Sequence, residues 1–551
     1  MLDRWFDSYR WWWCLLSGVL LVASFAPFSC ATCGWIALVP AWWVVTRSER
    51  VRLRPVRHGY LVGLVYFGGV FWWISNVTAI GAFFLILYLA LYPAVWFWLV
   101  ARLVAWREGA MPVLVQALVA AALWVVLEWW RSWFLTGFNW NELGISQAPS
   151  IVFRQLAAYG GVHLLSFVLV TVNILWAEGA LAMLKTLREK RVVRASWPFA
   201  AALFIVAVGF ALGSLHLLRH TADRFGELSF ACIQPNIPQI PYDSSKPYDD
   251  FQATEVAALG RTENLSLDVI GGKDKPDLLI WPEAMIDEGV FQDRPLNEAV
   301  RDICQNYDGY FLLGSQDFDL SGGPKRQNAQ GKWVTVPLLY NCAYFFTPHG
   351  EQYDEYRKTK LVILGEFLPF GDAFPRLRRW LGVGGMDFTP GPGPKVFTMK
   401  KPVIEQPTVS FAPLICFEDT LPAVADKAAR LGPDFFVTIT NDGWYTGWYA
   451  AWGVRQHLNH AIFRCIEHDR PMIRCANTGI SCVIDNNGSV VDRFTDASGK
   501  EIDVGGVFAR KLNISLVRGT LYERWGDWIV LISSLVSVML GVRFLVRNRP
   551  S

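Results

Sequence analysis

Seven apolar blocks fill the first 220 residues, each close to the ~20 residues a helix needs to cross a bilayer. They lie at 10–27, 31–46, 59–76, 79–101, 112–131, 163–184 and 198–217, and an eighth follows at 525–543. With 53% hydrophobic residues and a mean hydropathy of +0.26, the chain of 551 residues is too apolar for an ordinary soluble enzyme and too long for one domain. The first block follows Arg4 and Arg10 as a signal peptide would, but the second begins within a few residues. A retained helical hairpin turning near Pro27 and Gly34 is therefore expected. The expectation is an α-helical membrane bundle of eight transmembrane helices, seven in residues 1–220 and one at 525–543, with the lipid bilayer as its partner.

Lys and Arg in short loops set orientation. Arg47, Arg50, Arg52, Arg54 and Arg57 lie between blocks two and three, and Arg102 and Arg107 between four and five. Lys185, Arg188, Lys190, Arg191 and Arg194 lie between six and seven, and Arg543, Arg547 and Arg549 follow block eight. Loops one–two and three–four carry neither residue; loop five–six carries Arg154, with Arg131 at its near edge. Both termini are expected in the cytoplasm and residues 228–515 outside. Glu128, Asn173 and Glu178 sit within blocks, but Glu128 and Arg131 are three apart at a helix end, where pairing or headgroup contact is cheap; no transport path is expected. The runs Trp11–Trp13, Trp42–Trp43, Trp72–Trp73 and Trp129–Trp130 are expected as interfacial anchors. The loop at 136–140 is expected as an amphipathic turn at the outer surface.

Residues 228–515 read differently. Short apolar runs at 228–233, 278–281, 310–314, 341–346, 409–415, 435–440 and 475–484 suggest strands, and 452–467 suggests a helix before Arg470 and Pro471. Strands interleaved with helical stretches argue an α/β domain. Three strand ends carry chemistry. Glu283 follows Trp281 and Pro282, Lys358 precedes Gly365 and Glu366, and Cys416 ends an apolar run just before Phe417, Glu418 and Asp419. A carboxylate can take a thiol's proton, and an ammonium can lower the thiol pKa and stabilise an oxyanion. Together the three groups suffice for covalent acyl transfer.

The motifs W-P-E at 281–283, Y-x-K at 356–358 with G-E-F-x-P at 365–369, and I-C-F-E at 415–418 resemble the nitrilase superfamily. Further similarity lies in Asn441, Asp442, Gly443 and Trp444, in Arg470 and Pro471, and in 477–481. Such a domain between seven N-terminal spans and one C-terminal span is similar to the apolipoprotein N-acyltransferase family, as is the loop at 135–140. Three departures stand out: Asn139 replaces the usual proline, Val362, Ile363 and Leu364 replace the usual V-P-F, and Tyr242 stands near the place of a substrate-arm tryptophan.

The resemblance implies an α-β-β-α sandwich with Cys416 as nucleophile, Glu283 as general base and Lys358 as oxyanion stabiliser. Glu366 would be a second acid, and Phe417 and Glu418 would shape the site. The resemblance also implies a ping-pong reaction. A phospholipid acyl donor, typically phosphatidylethanolamine, would leave its acyl chain on Cys416, and diacylated apolipoproteins would accept it on their N-terminal amine. Trp380 and Met386 in 380–386, Trp444 in 444–449, and Tyr242 are the expected substrate-binding residues. The implied location is a bacterial inner membrane with the catalytic domain periplasmic. Rival readings are a membrane-tethered amidase or nitrilase that passes the acyl group to water, a non-catalytic scaffold on the same fold, and a transporter.

Other signals exclude more than they suggest. Net charge is +3, so no nucleic-acid partner is expected. There is no phosphate-cradling glycine loop and no dinucleotide fingerprint, so no cofactor is expected. Cys30 and Cys33 form a lone C-x-x-C with no second pair and no nearby histidine, giving neither a zinc nor a redox expectation. His457 and His460 lack acidic partners for a metal and read as structural. Cys232, Cys304, Cys342, Cys416, Cys465, Cys475 and Cys482 make an odd number in the outer domain, so at least one thiol stays free of internal pairing.

Overall fold

The structure is a computed structural model describing residues 2–104, 111–189, 197–219, 224–237, 248–283, 294–319, 321–323, 325–327, 332–351, 353–363, 365–369, 387–401, 407–445, 450–515 and 519–547. The chain divides into two compact units. One comprises Met1–Thr221, Tyr449–Glu467 and Gly519–Ser551; the other comprises Ala222–Trp448 and His468–Arg518.

In the first unit, five helices among the described residues are long and apolar enough to cross a membrane: Ala79–Leu103, Val113–Arg131, Phe153–Leu184, Trp197–Arg219 and Trp528–Val546. Eight were expected. The blocks at 10–27 and 59–76 form the shorter helices Arg10–Ala23 and Pro55–Phe71. The block at 31–46 is split into Ala31–Gly34 and Val39–Arg47. Pro40, which lacks an amide hydrogen, is tolerated only in a first turn, and there the helix restarts. Gly59 and Gly63 let Pro55–Phe71 approach closely: a Cβ at Gly59 would lie 2.6 Å from the Pro93 carbonyl oxygen, and one at Gly63 2.6 Å from the Ala90 Cα. Such small-residue spacing is how helices pack without a hydrophobic drive. The C-terminal helix packs through Trp528, Ile529 and Val530 against Val125, Trp129, Leu164 and Phe167. Leu203, Phe204, Leu535 and Val538 stay exposed on the outer helices, an apolar surface suited to lipid.

Several polar residues inside this unit are partnered within the protein. Trp42 is buried and donates its indole N–H to Glu178 Oε1 (2.7 Å), while Arg47 Nη2 donates to Glu178 Oε2 (2.9 Å). Trp73 is also buried and donates to Gln456 Oε1 (3.2 Å). Neither tryptophan is therefore the interfacial anchor expected; each closes a buried polar pair, whereas Trp11, Trp12 and Trp130 are exposed. Glu128 Oε1 accepts from the amide of Leu143 (2.7 Å) and the indole of Trp124 (2.8 Å). Helix Ala450–His468 forms as expected at 452–467, and its residues through Glu467 belong to this unit. Trp140, expected at an outer surface, is buried against the rings of His457 and His460.

The second unit is built from fourteen strands among the described residues. These are β1 (Arg224–Gln234), β2 (Leu278–Ile280), β3 (Tyr310–Asp319), β4 (Lys325–Gln327), β5 (Trp333–Thr335), β6 (Leu338–Phe346) and β7 (Tyr353–Arg357). They continue with β8 (Phe397–Met399), β9 (Val409–Ile415), β10 (Phe435–Thr440), β11 (Met472–Ala476), β12 (Cys482–Ile484), β13 (Val490–Arg493) and β14 (Gly506–Ser515). The run at 475–484, expected as one strand, is two antiparallel strands, β11 and β12. Asn477, Thr478 and Gly479 lie between them, the turn chemistry that breaks an apolar run.

Two six-stranded sheets have the orders β14-β1-β2-β3-β6-β7 and β13-β12-β11-β10-β9-β8. Leu228, Phe230, Ile280 and Leu312 of one meet Phe411, Ile415, Val437 and Ile473 of the other in a shared core. Alternate residues Ala231, Ile233, Leu279 and Leu313 face outward onto Leu259 of helix Tyr248–Ile270 and Ile303 of helix Arg294–Asn306. Period-two alternation thus buries both faces of the first sheet. Helix Pro422–Ala429 packs beside β9. This is a helix–sheet–sheet–helix layering, as expected of the α/β domain.

Candidate active site

The parallel strands β1, β2 and β3 of one sheet and β9, β10 and β11 of the other end in polar turns. Such carboxyl ends are where α/β sheets display reacting groups. After β2 the chain turns through Trp281 and Pro282 to Glu283. The Trp281 amide donates to the Leu312 carbonyl (2.8 Å) and its indole to Ser266 Oγ (2.8 Å), which pins the turn. Gly314 on β3 leaves room for it: a Cβ there would lie 2.2 Å from the Pro282 oxygen and 2.7 Å from Glu283 Cα. Lys358 follows β7, its amide donating to the Asn341 carbonyl (2.8 Å) and its carbonyl accepting from Gly391 N (2.8 Å). Cys416 follows β9 and opens the turn Cys416–Thr420 with φ +51°. That left-handed conformation costs a side-chain-bearing residue about 1 kcal/mol or more and holds the thiol out of the strand direction.

Glu283, Lys358 and Glu366 meet in the interior. Lys358 Nζ donates to Glu283 Oε1 (3.2 Å) and Glu366 Oε1 (2.8 Å). Asn341 Nδ2 donates to the same two oxygens, at 2.8 and 2.9 Å. The amide of Asn441 donates to Glu283 Oε2 (2.9 Å), and that of Val362 to Glu366 Oε2 (2.8 Å). Each carboxylate is thereby fixed at both oxygens. Lys358 is almost fully buried; burial alone would drive its pKa down, but Glu283 and Glu366 hold it well above the usual value. The Lys358 ammonium stands between two carboxylates.

The Cys416 thiol lies in the field of the same groups. Desolvation pushes its pKa well up, Glu283 adds to that, Lys358 opposes it, and Asp442 raises it again; Thr440 is its hydrogen-bond partner. Lys358 lowers the thiol pKa, as expected of an ammonium, but its pull is outweighed by burial and two carboxylates. A thiol whose pKa is pushed up needs a base to take its proton if it is to attack.

Glu418 is buried and ties two loops together. Oε2 accepts from the Ile415 amide (3.0 Å) and the Tyr356 hydroxyl (2.8 Å). Oε1 accepts from the amides of Thr359 (2.7 Å) and Lys360 (3.1 Å) and from the Thr359 hydroxyl (2.8 Å). Burial raises its pKa while these donors pull it back. The side chain thus links the residue before Cys416 to the two residues after Lys358. Replacing Glu418 with Gln puts an NH2 group against donors. The expected cost is about 1–3 kcal/mol of stability, read as a lowered thermal midpoint, together with slower modification of Cys416.

Phe417 is buried in the Cys416 turn, and Trp444 ends the turn Asp442–Trp444 after β10. Trp380, Met386 and Tyr242 lie outside the described residues, as does the Trp444 side chain. The structure adds groups that sequence reasoning missed. Besides Asn341 and Thr440, buried Arg474 donates to Asp419 Oδ2 (2.7 Å) and Asp442 Oδ2 (3.0 Å). Asn341 and Arg474 had a legible signal: each is a polar residue inside a strand whose neighbours are apolar and buried. Among the described residues, no group of three or more His, Cys, Asp or Glu is placed to hold a metal ion.

Residues 17–175 match the family described as apolipoprotein N-acyltransferase N-terminal domain, and 231–504 match carbon-nitrogen hydrolase. The apolipoprotein N-acyltransferase of Sinorhizobium fredii is 31% identical over 502 residues, covering 86% of this chain and 86% of that protein. The Geobacter metallireducens protein of the same name is 28% identical over 555 residues, covering 96% of this chain and 94% of its own. Among solved structures, Saccharomyces cerevisiae Nit3 of the nitrilase superfamily aligns with 53% of this chain and 93% of its own, at 15% identity and a TM-score of 0.35. With both family matches on one chain and full-length relatives of one name, the protein belongs to the apolipoprotein N-acyltransferase family.

Proposed function

We propose that the protein moves an acyl chain from a phospholipid to Cys416 and then to the α-amine of S-diacylglyceryl-cysteine at a lipoprotein's N-terminus. The observation that carries this reading is Lys358, held charged between Glu283 and Glu366 with the Cys416 thiol in the same field. Glu283 takes the thiol proton as sulfur attacks the ester carbonyl, and the Lys358 ammonium stabilises the oxyanion. Collapse expels the lysophospholipid alkoxide, which receives the proton from Glu283, and leaves a thioester. The lipoprotein amine then attacks the thioester carbonyl, Glu283 takes the amine's proton, and sulfur leaves and is reprotonated. Glu366 orients Lys358, while Phe417 and Glu418 shape the turn.

Phosphatidylethanolamine is the donor in this reading, and Trp444, Trp380, Met386 and Tyr242 line its acyl chain. Residues 1–220 and 525–543 hold the enzyme in the inner membrane with both termini cytoplasmic, supported by the Lys and Arg clusters of alternate loops. Residues 228–515 form the periplasmic catalytic domain. Incubation with phospholipid labelled in its acyl chain should put one acyl group on the Cys416 peptide, discharged by a diacylated lipopeptide. Mass analysis finding Cys416 bare in an active preparation would exclude the thioester.

The charge coupling has its own test. Glu283→Gln removes a negative charge that raises the thiol pKa, so iodoacetamide should label Cys416 faster at fixed pH, by about tenfold for one pKa unit. Lys358→Met should slow labelling by a similar factor. Both variants should lose acyl transfer. Labelling rates that move together in the two variants would contradict opposite charges acting on one sulfur.

A further inference from the structure

The C-x-x-C lies in a turn whose geometry the sequence did not foretell. Cys30 precedes the short helix Ala31–Gly34, and Cys33 lies one turn on with its sulfur 3.1 Å from that of Cys30. The approach is enforced from around the turn. Cys30 N donates to the Ala23 carbonyl (3.0 Å) and Cys33 N to the Cys30 carbonyl (2.9 Å). Gln147 Nε2 donates to the Ala31 carbonyl (2.9 Å) and Asn173 Nδ2 to that of Gly34 (2.9 Å). Both thiols are part-exposed, whereas seven of the other eight cysteines are buried, the exception being Cys416.

We propose that Cys30 and Cys33 are a modification site: a dithiol that closes to a disulfide by exchange with an external disulfide oxidant. The Cys30 thiolate attacks one sulfur of the oxidant R–S–S–R, forming a mixed disulfide and expelling RS⁻. Cys33 then loses its proton and attacks the Cys30 sulfur, expelling a second RS⁻. Two protein thiols are oxidised, one external disulfide is reduced to two thiols, and the two released protons go to those products. Cys30 is the attacking partner: its bonds with Thr32 and Cys33 hold its pKa below the ordinary thiol value. The product locks a turn that touches helix Ala450–His468, where Phe28 packs edge-on against Trp452 (5.6 Å) and Gln456 Nε2 donates to the Ala26 carbonyl (3.0 Å). This loop carries no Lys or Arg, so the orientation proposed above, on which this part rests, puts it outside, where disulfides persist.

The test uses the full chain in detergent with Cys416→Ser, so that the oxidant meets no catalytic thiol. After treatment with oxidised glutathione, acid quenching and alkylation, the peptide holding Cys30 and Cys33 should be unalkylated and lighter by two hydrogens. Dithiothreitol should restore two alkylated thiols. Cys33→Ser should stop at Cys30 bearing one glutathione. Two alkylated thiols after oxidation, or a glutathione adduct persisting when both cysteines are present, would overturn the proposal. Orientation is read separately: a membrane-impermeant maleimide added to reduced spheroplasts should label Cys30, and its failure there would overturn the outward placement while leaving the dithiol chemistry to the purified protein.

Discussion

Replacing Cys416, the proposed nucleophile, with serine is expected to lower acyl transfer by about 10⁴-fold or more while leaving the protein folded. The reason is the proton. Burial and the charges of Glu283 and Asp442 push the Cys416 thiol pKa well up, so a base must take its proton during attack, the role proposed for Glu283. A serine hydroxyl is far harder to ionise, and the Lys358 ammonium, already shared between Glu283 and Glu366, cannot make up the difference. Serine is also close in size, so it preserves the turn at φ +51° and keeps Thr440 in place. Transfer from labelled phospholipid to a diacylated lipopeptide is the rate to measure, with the thermal midpoint in detergent as the control for folding. Activity within tenfold of the parent, at an unchanged midpoint, would end the case for a thioester.

How much of this was legible from residues alone depended on whether the signal was local. The ends of the runs at 278–281, 409–415 and 435–440 were visible because apolar character gives way to polar residues within a few adjacent positions. That Glu283 and Lys358 would touch was not visible in spacing, because they are 75 residues apart and come together only when β2 and β7 are ordered in one sheet. Their convergence was expected only through the likeness of motifs. Asn341 was overlooked inside an apolar run, although a polar side chain in such a strand must find partners, and it found both carboxylates.

The membrane blocks show the opposite failure. Counting apolar residues measured hydrophobicity correctly at 31–46 but could not register that Pro40 starts a new helix there. It also assigned Trp42 to an interface on composition, when a carboxylate 136 residues away in sequence draws it inside. The run at 475–484 misled for a related reason. Ile480 and Cys482 continue the apolar character across a turn, and only Asn477, Thr478 and Gly479 announce the reversal between β11 and β12.

Arg474→Met is expected to cost about 3–5 kcal/mol of stability, the range for breaking a buried ion pair by removing one partner. The guanidinium is fully buried on β11; burial alone would lower its pKa, but Asp442 and Asp419 hold it above the usual arginine value. Methionine fills much of the space yet leaves Asp419 and Asp442 facing each other without a counter-charge. The loss should reach the chemistry as well. Asp442 Oδ1 accepts from the Thr440 hydroxyl (3.1 Å), Thr440 partners the Cys416 sulfur, and Asp419 belongs to the Cys416 turn. Arg474 therefore braces the turn that holds Cys416 and the turn after β10. If the penalty is electrostatic, adding Asp419→Asn and Asp442→Asn to Arg474→Met should restore a large part of the lost thermal midpoint, a strongly non-additive result. Full rescue of the midpoint with transfer still slow would separate the two roles: charge balance would be repaired while the brace on Thr440 and the Cys416 turn would not. No rescue at all would mean that the side chain's volume and hydrogen bonds, rather than its charge, hold the two turns together.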